Sequence, residues 1–247
     1  MTNICAIVGT KCNKSNTAYF TKKLLAHLKE KLNTDININI YNLHDFKIEY
    51  CNGCLTCRKE GNCPVKDDMK FLKTEMIKSD IIVLASPVYI HNISGIMKTF
   101  LDRLCIWNHT MRLAGKKGII LTTTSSSGDI QVRNYLKNIL LHMGAVSIGD
   151  FNICVDFPQE LYIESKENFI IENAVSKIIE KIKNNDMTSS LIQEVIFNNL
   201  KKVINRGIEN NYTKNYEIFF WENNGLVNYN SFKELTNDIL QNGKELK

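Results

Sequence analysis

Over roughly the first 185 residues the apolar positions switch between short, nearly continuous runs and longer stretches with helical spacing. ICAIVG, from Ile4 to Gly9, is apolar and closed by glycine, which predicts a buried strand. A polar loop, TKCNKSN, follows. From Thr17 to Leu32, Ala18, Leu24, Leu25, Leu28 and Leu32 lie on one helical face. DININIYNL alternates strictly, with Ile36, Ile38 and Ile40 on one side, and predicts a half-buried strand. After a cysteine-rich loop, Asp67-Asp68-Met69 marks a helix start, with carboxylates at the positive end of the helix dipole, running to about Ser79.

DIIVLASPVY is the near-continuous apolar run of a central parallel strand, and Pro87 ends it. Gly95 to Trp107 is helical. KKGIILTTTSSSG is a strand entering a Ser/Thr/Gly loop. Asp129 to Met143 is helical and broken by Gly144, Ala145 to Val155 is a fifth strand, and Glu167 to Lys183 a fifth helix. Five β-α units with short connections predict a doubly wound five-stranded parallel sheet over residues 1–185, with a cysteine loop at 51–64 inserted after the second strand. Residues 186–247 break the alternation. Two helical patterns, near Leu191–Ile204 and Ser231–Leu240, flank the aromatic cluster YEIFFWENNGL, which predicts a helical C-terminal extension.

Ligands of such sheets sit beyond the carboxyl ends of the strands, at the switch point of strand order. Three loops are expected there. Thr10 to Thr17, entering a helix N-terminus with hydroxyls, amides and a lysine, suits a phosphate, although it matches neither G-x4-G-K-[ST] nor G-x-G-x-x-G. The plainer reading is a helix cap. Ser86 to Gly95 places a rigid proline and Tyr89 where a flat ligand could lie, or where Tyr89 merely covers the sheet end. Thr122 to Gly128 offers hydroxyls and N–H groups to a polar ring edge, or is a polar surface loop.

Composition narrows the class. Lys+Arg number 31 against 26 Asp+Glu, for a net charge of +5 spread along amphipathic segments. No concentrated basic stripe points to nucleic acid, and an anionic small ligand suits the charge as well. MTNICAIVGT lacks the features of a secretory signal, and no apolar run is long enough to span a bilayer, so a cytoplasmic chain without a membrane partner is expected. In that compartment clustered cysteines more often serve metal or redox chemistry than disulfides.

Four of the eight cysteines fall in CNGCLTCRKEGNC, as C-x2-C-x2-C-x5-C followed by Pro64. Cys51, Cys54, Cys57 and Cys63 admit four readings. A [4Fe–4S] cluster is favoured by three cysteines in one tight loop with a fourth before proline. Structural zinc usually pairs two distant hooks. A redox disulfide is disfavoured by compartment, and a metal-free motif is the plain alternative. Cys5, Cys105 and Cys154 lie amid apolar neighbours and are expected to be small core residues.

TKCNKSNTA, CNGCLTCRKEGNCPVKDDM and ASPVYIHNISGIMKTFLDR together resemble the flavodoxin-like NAD(P)H-dependent FMN reductases and, within them, the iron–sulfur flavoproteins, over residues 1–185. The resemblance implies FMN with its phosphate on Thr10, Lys11, Ser15, Asn16 and Thr17. The ring would lie between Pro87, Val88, Tyr89, Ile90, His91 and Asn92 on one side and Thr123, Thr124, Ser125 and Gly128 on the other. Relatives often carry Ser-Pro-Arg where this chain has Thr10-Lys11-Cys12, so Lys11 stands in for the arginine. The implied activity is hydride transfer from NAD(P)H to the flavin, then electron transfer to a quinone, a free flavin or through a [4Fe–4S] cluster. No acid/base triad is visible, since the chemistry belongs to the cofactor. Two rivals are an electron carrier between protein partners and a partner-binding protein using the aromatic C-terminal segment. Relatives build the flavin site near a subunit interface, which implies a homodimer or homotetramer.

Overall fold

A computed structural model describes residues 1–12, 14–32, 34–155, 164–184, 189–212 and 215–246. Strands β1 (Thr2–Val8), β2 (Ile36–Asn42), β3 (Ile81–Pro87), β4 (Lys117–Thr124) and β5 (Val146–Cys154) form one parallel sheet in the order β2-β1-β3-β4-β5. This is the flavodoxin-like order, with its switch point between β1 and β3. The two-residue period of a strand sends alternate side chains to opposite faces. Cys5, Ile7, Ile82 and Leu84 meet the core under α3 (Met69–Lys78), α4 (Gly95–Asp102), α5 (Cys105–Thr110) and α6 (Asp129–His142). Ile4, Ala6, Val8, Val83 and Ala85 meet the core under α1 (Asn16–Leu32) and α7 (Glu164–Lys183).

The helix expected over 95–107 is two helices. The chain tightens at Arg103 and Leu104, whose N–H groups reach Phe100 O and Leu101 O, and the side chain of Arg103 turns inward. The Asp67-Asp68 pair also behaves differently from the expectation. Asp68 caps α3 without a side-chain bond, while Asp67 accepts from Met69 N at 3.2 Å and pairs with Arg103. Within the cysteine loop, Thr56–Glu60 forms a short helix, α2.

The C-terminal region contains three helices: α8 (Leu191–Glu209), α9 (Tyr216–Asn223) and α10 (Phe232–Asn242). Helix α9 is the aromatic cluster, whose consecutive apolar residues carry no helical period to read. Phe220 and Trp221 are buried, whereas Phe219 is exposed. These helices share a core with Met111 and Ala114, which follow α5, and Trp221 Nε1 donates to His109 O at 2.9 Å. The expected boundary between residues 185 and 186 lies outside the described residues.

Candidate functional site

The ends of β1, β3 and β4 meet at the switch point through hydrogen bonds that cross the sequence. Thr17 Oγ1, at the start of α1, lies 2.6 Å from Thr123 Oγ1 at the end of β4, and both residues are buried. Ser94 Oγ donates to Gly9 O at 2.5 Å, while Ser94 N donates to Ser86 Oγ at 3.1 Å. Ser94 also caps α4 by accepting from Met97 N. Val88 N donates to Thr123 O at 2.8 Å. The three expected loops are therefore brought together. Ser94 and Ser86 are the ties that sequence reasoning left out, although a serine before the apolar α4 pattern is an N-cap signal.

In the first loop Thr10 is buried and accepts from Cys12 N at 3.1 Å. Ser15 Oγ accepts from Ala18 N at 3.4 Å, Ser15 and Asn16 are half-buried, and Lys11 is exposed. Asn13 lies outside the described residues. The first turn of α1 carries no acidic residue. Hydroxyls, a helix N-terminus and a lysine with no ion pair among the described residues form a donor set that fits a phosphate.

In the second loop, past the buried Pro87, Tyr89 and Asn92 exchange backbone hydrogen bonds at 2.9 and 3.0 Å around Ile90 and His91. Both central residues have positive φ, 48° and 57°, which makes a tight primed turn. Tyr89, Ile90, His91 and Asn92 are exposed at its tip and Val88 is half-buried at its base. The third loop lies against it. Thr123 and Thr124 are buried, Ser125 is exposed, and Thr124 Oγ1 donates to Ser127 O at 3.1 Å. Gly128 has φ +92°, and a Cβ there would stand 2.9 Å from His91 Cα. Gly128→Ala is expected to cost about 1–2 kcal/mol through backbone strain. The matching fall in Tm is roughly 2–8 °C, readable in a thermal melt; an unchanged Tm would mean that the two loops do not depend on this contact.

A cleft of about 800 Å³ opens beside these loops. Lys11, Tyr89, Ser94, His44, Phe46 and Tyr50 are among the residues that line it. Tyr50 carries it to the edge of the cysteine segment, next to Cys51. The volume is that of a cofactor-sized site.

In the cysteine segment Cys51 and Cys54 are exposed, while Cys57 and Cys63 are half-buried. Hydrogen bonds from Thr56 hold the Cys54 thiol below its usual range. Lys98 lies within electrostatic reach of Cys51, Arg103 and Lys73 within reach of Cys63, and Arg58 and Lys73 within reach of Cys57. Four thiols on one short segment, each exposed or half-buried and each near a cation or a hydrogen-bond donor, suit a thiolate-bound cluster in their chemistry. Among the described residues, however, no three His, Cys, Asp or Glu side chains stand together as a metal site.

Two expectations for the other cysteines need correction. Cys5 is buried, and burial with a contribution from Glu75 pushes its thiol up to about 12. Cys105 and Cys154 are exposed and not core residues. Cys105 opens α5 on the side facing the cysteine segment, with its Sγ 3.7 Å from Cys57 Sγ. Partial burial and then Cys57 raise its thiol to about 11. Cys154 sits at the carboxyl end of edge strand β5, where burial falls off.

Two long-range pairs hold the cysteine segment. At its base Arg103 Nη1 donates to Asp67 Oδ2 at 2.5 Å and to Glu49 O at 2.7 Å, and both charged side chains are 1% exposed. At its far side Arg58 Nε donates to Glu217 Oε1 of α9 at 2.7 Å, and Glu217 is buried. Tyr216 stands so close to Gly61 that a Cβ on that residue would lie 2.4 Å from its ring. The C-terminal extension thus clasps the helix that carries Cys57.

Comparison with known proteins agrees with this geometry. The family model for NADPH-dependent FMN reductase matches residues 2–160. An iron–sulfur flavoprotein of Archaeoglobus fulgidus is 38% identical over 130 residues, which are 52% of this chain and 59% of that protein, so the match spans under two thirds of that relative. An iron–sulfur flavoprotein of Clostridioides difficile is 29% identical over 218 residues, covering 84% of this chain and 93% of the relative. Among solved structures, an NADH:FMN oxidoreductase aligns with a TM-score of 0.57 at 22% identity over 78% of this chain and 94% of its own, which is a likeness of fold.

Proposed function

The chain belongs to the NADPH-dependent FMN reductase family, and from that premise we propose that it is an FMN-dependent oxidoreductase. It takes hydride from NAD(P)H and delivers electrons to a small acceptor such as a quinone or a free flavin. A [4Fe–4S] cluster on Cys51, Cys54, Cys57 and Cys63 is its second redox group. The observation that carries this reading is the joining of the three switch-point loops, by the Thr17–Thr123, Val88–Thr123 and Ser94–Gly9 hydrogen bonds, beside a cleft that reaches the edge of the cysteine segment.

When bound, FMN supplies the conversion between two-electron and one-electron chemistry. Thr10, Lys11, Ser15, Asn16 and Thr17 hold its phosphate, and the absence of an acidic residue in the first turn of α1 leaves that charge unopposed. Pro87, Val88, Tyr89, Ile90, His91 and Asn92 bound one side of the ring. Thr123, Thr124, Ser125 and Gly128 bound the other. These residues orient and exclude water, and none is assigned a proton. The protein works in the cytoplasm as a homodimer or homotetramer. No described helix is long and apolar enough to cross a membrane.

An anaerobic visible spectrum, with iron, zinc and FMN counted per chain, tests the reading. Flavin bands with broad absorbance near 400 nm and about four irons per chain are expected. Cys54→Ala should keep full FMN and lose iron. Flavin without iron in anaerobically purified wild type would leave a plain flavin reductase, and absence of flavin would remove the oxidoreductase reading itself. The surface position of Cys51 and Cys54 favours a second reading, an electron carrier for a protein partner. Slow reduction by NAD(P)H with fast reduction by a ferredoxin is its signature.

A further inference from the structure

A second cavity, of about 460 Å³, has Cys63 of the cysteine segment in its wall and shares no lining residue with the flavin cleft. Its walls come from the chain after Gly61, from α3, from α5 and the turn after it, and from Tyr216 of α9. Four cationic side chains reach it: Lys70, Lys73, Arg103 and Arg112. The single carboxylate there, Asp67, is already committed to Arg103. The cavity therefore keeps an uncompensated positive charge.

Two of these cations lack protein partners suited to them. Arg112 Nη1 is buried with no hydrogen-bond partner among the described residues, and the guanidinium lies 5.0 Å from the Phe220 ring centroid. Lys73 is half-buried and makes no hydrogen bond or ion pair with a carboxylate or carbonyl among the described residues. The groups acting on it are the thiols of Cys63, Cys57 and Cys105, and Arg103. Removing a cation from water without a partner is costly, and proteins that keep such a group usually give it an anion. Between the cations the wall is apolar, from Ile106, Trp107 and Tyr216.

We propose that this cavity binds a small organic carboxylate, drawn in by the lining cations Lys73 and Arg112, with its apolar body against Trp107 and Tyr216. The size lies within the range of small-molecule pockets. Guanidinium and ammonium groups together favour an oxyanion, and the aromatic wall favours an organic one over a bare inorganic ion. The site requires neither flavin nor cluster to form. Cys63 is part of its wall, so a ligand held there lies against the cysteine segment.

The test is isothermal titration of the full-length protein, as purified, with benzoate, malonate and inorganic phosphate, at constant ionic strength and against a chloride control. Benzoate or malonate should bind more tightly than phosphate. Lys73→Met and Arg112→Met should each weaken that binding at least tenfold, while Lys22→Met on α1 should leave it unchanged. Arg112 packs on Phe220, so Lys73→Met, with its Tm and far-UV spectrum unaltered, is the deciding variant. No carboxylate binding above the chloride control overturns the proposal. So does unchanged binding in Lys73→Met, or phosphate and chloride binding as well as the carboxylates. Loss of iron from Lys73→Met with carboxylate binding intact would assign the cavity to the cluster instead, and would also overturn it.

Discussion

Asp67→Ala is expected to destabilise the protein by about 3–5 kcal/mol, because it leaves Arg103 buried without its counter-charge. The side chains of Arg103 and Asp67 are each 1% exposed, and Arg103 Nε has no partner among the described residues, so little remains to absorb the charge. Asp67 also accepts from Glu49 N at 2.9 Å and from Met69 N at 3.2 Å. Glu49 stands just before the cysteine segment and Asp67 just after it, so this one carboxylate closes the segment's base. The variant should lose roughly 6–20 °C in Tm and should retain iron poorly. By contrast, Asp102→Ala removes a partly exposed i,i+4 pair with Lys98 and should cost about 1 kcal/mol or less. Replacing both partners, as in Asp67→Leu with Arg103→Met, should recover part of the loss, since a filled apolar site avoids the unpaired charge. Equal melts for wild type and Asp67→Ala would show that the pair contributes nothing.

The same carboxylate sets a pH dependence. Burial opposes its ionisation, but the Arg103 bond and the N–H groups of Glu49 and Met69 outweigh that and hold Asp67 below the usual carboxylate range. Its stabilisation is therefore fully present above about pH 4, the unfolded value. It is lost as pH falls through the lower folded value. Wild-type Tm should drop more steeply below pH 4 than that of Asp67→Ala, which lacks this titration. Parallel curves would assign the acid lability elsewhere.

The second large effect is expected from a chain ending at residue 188. Phe197, Phe220, Trp221 and Phe232 are each 1% exposed or less. Burying four such side chains stabilises by about 6–12 kcal/mol, the order of a whole domain's net stability. Some of that core belongs to the sheet domain, because Met111 and Ala114 lie in it. Truncation would bare both, remove the Trp221 bond to His109 O and release Arg58 and Gly61. Gln193 Nε2 would also leave Ala145 O, a buried bond of 3.1 Å. The shortened chain should therefore go to the insoluble fraction, and any soluble part should lack bound iron. A soluble, flavin-loaded monomer with the wild-type Tm would instead make the extension separable.

How far the sequence can be read follows from the range of each interaction. The strands and most helices of the sheet domain were legible because burial imprints a local period, 2 for strands and 3.6 for helices. The switch-point loops were legible because strand order and chain direction place them together, and the cysteine motif because its four thiols are neighbours in the chain. Helix α9 was not, because Tyr-Glu-Ile-Phe-Phe-Trp carries no amphipathic period. Its Glu217 is buried against Arg58, 159 positions away. Tertiary structure alone brought Cys105 to Cys57 across 48 positions, and Arg103 to Asp67 across 36. It alone enclosed Lys73 and Arg112 in one cavity. Local sequence determines which elements form and which way they face. The partners of buried charges and thiols are decided by how those faces meet, since only packing removes the water that would otherwise solvate them.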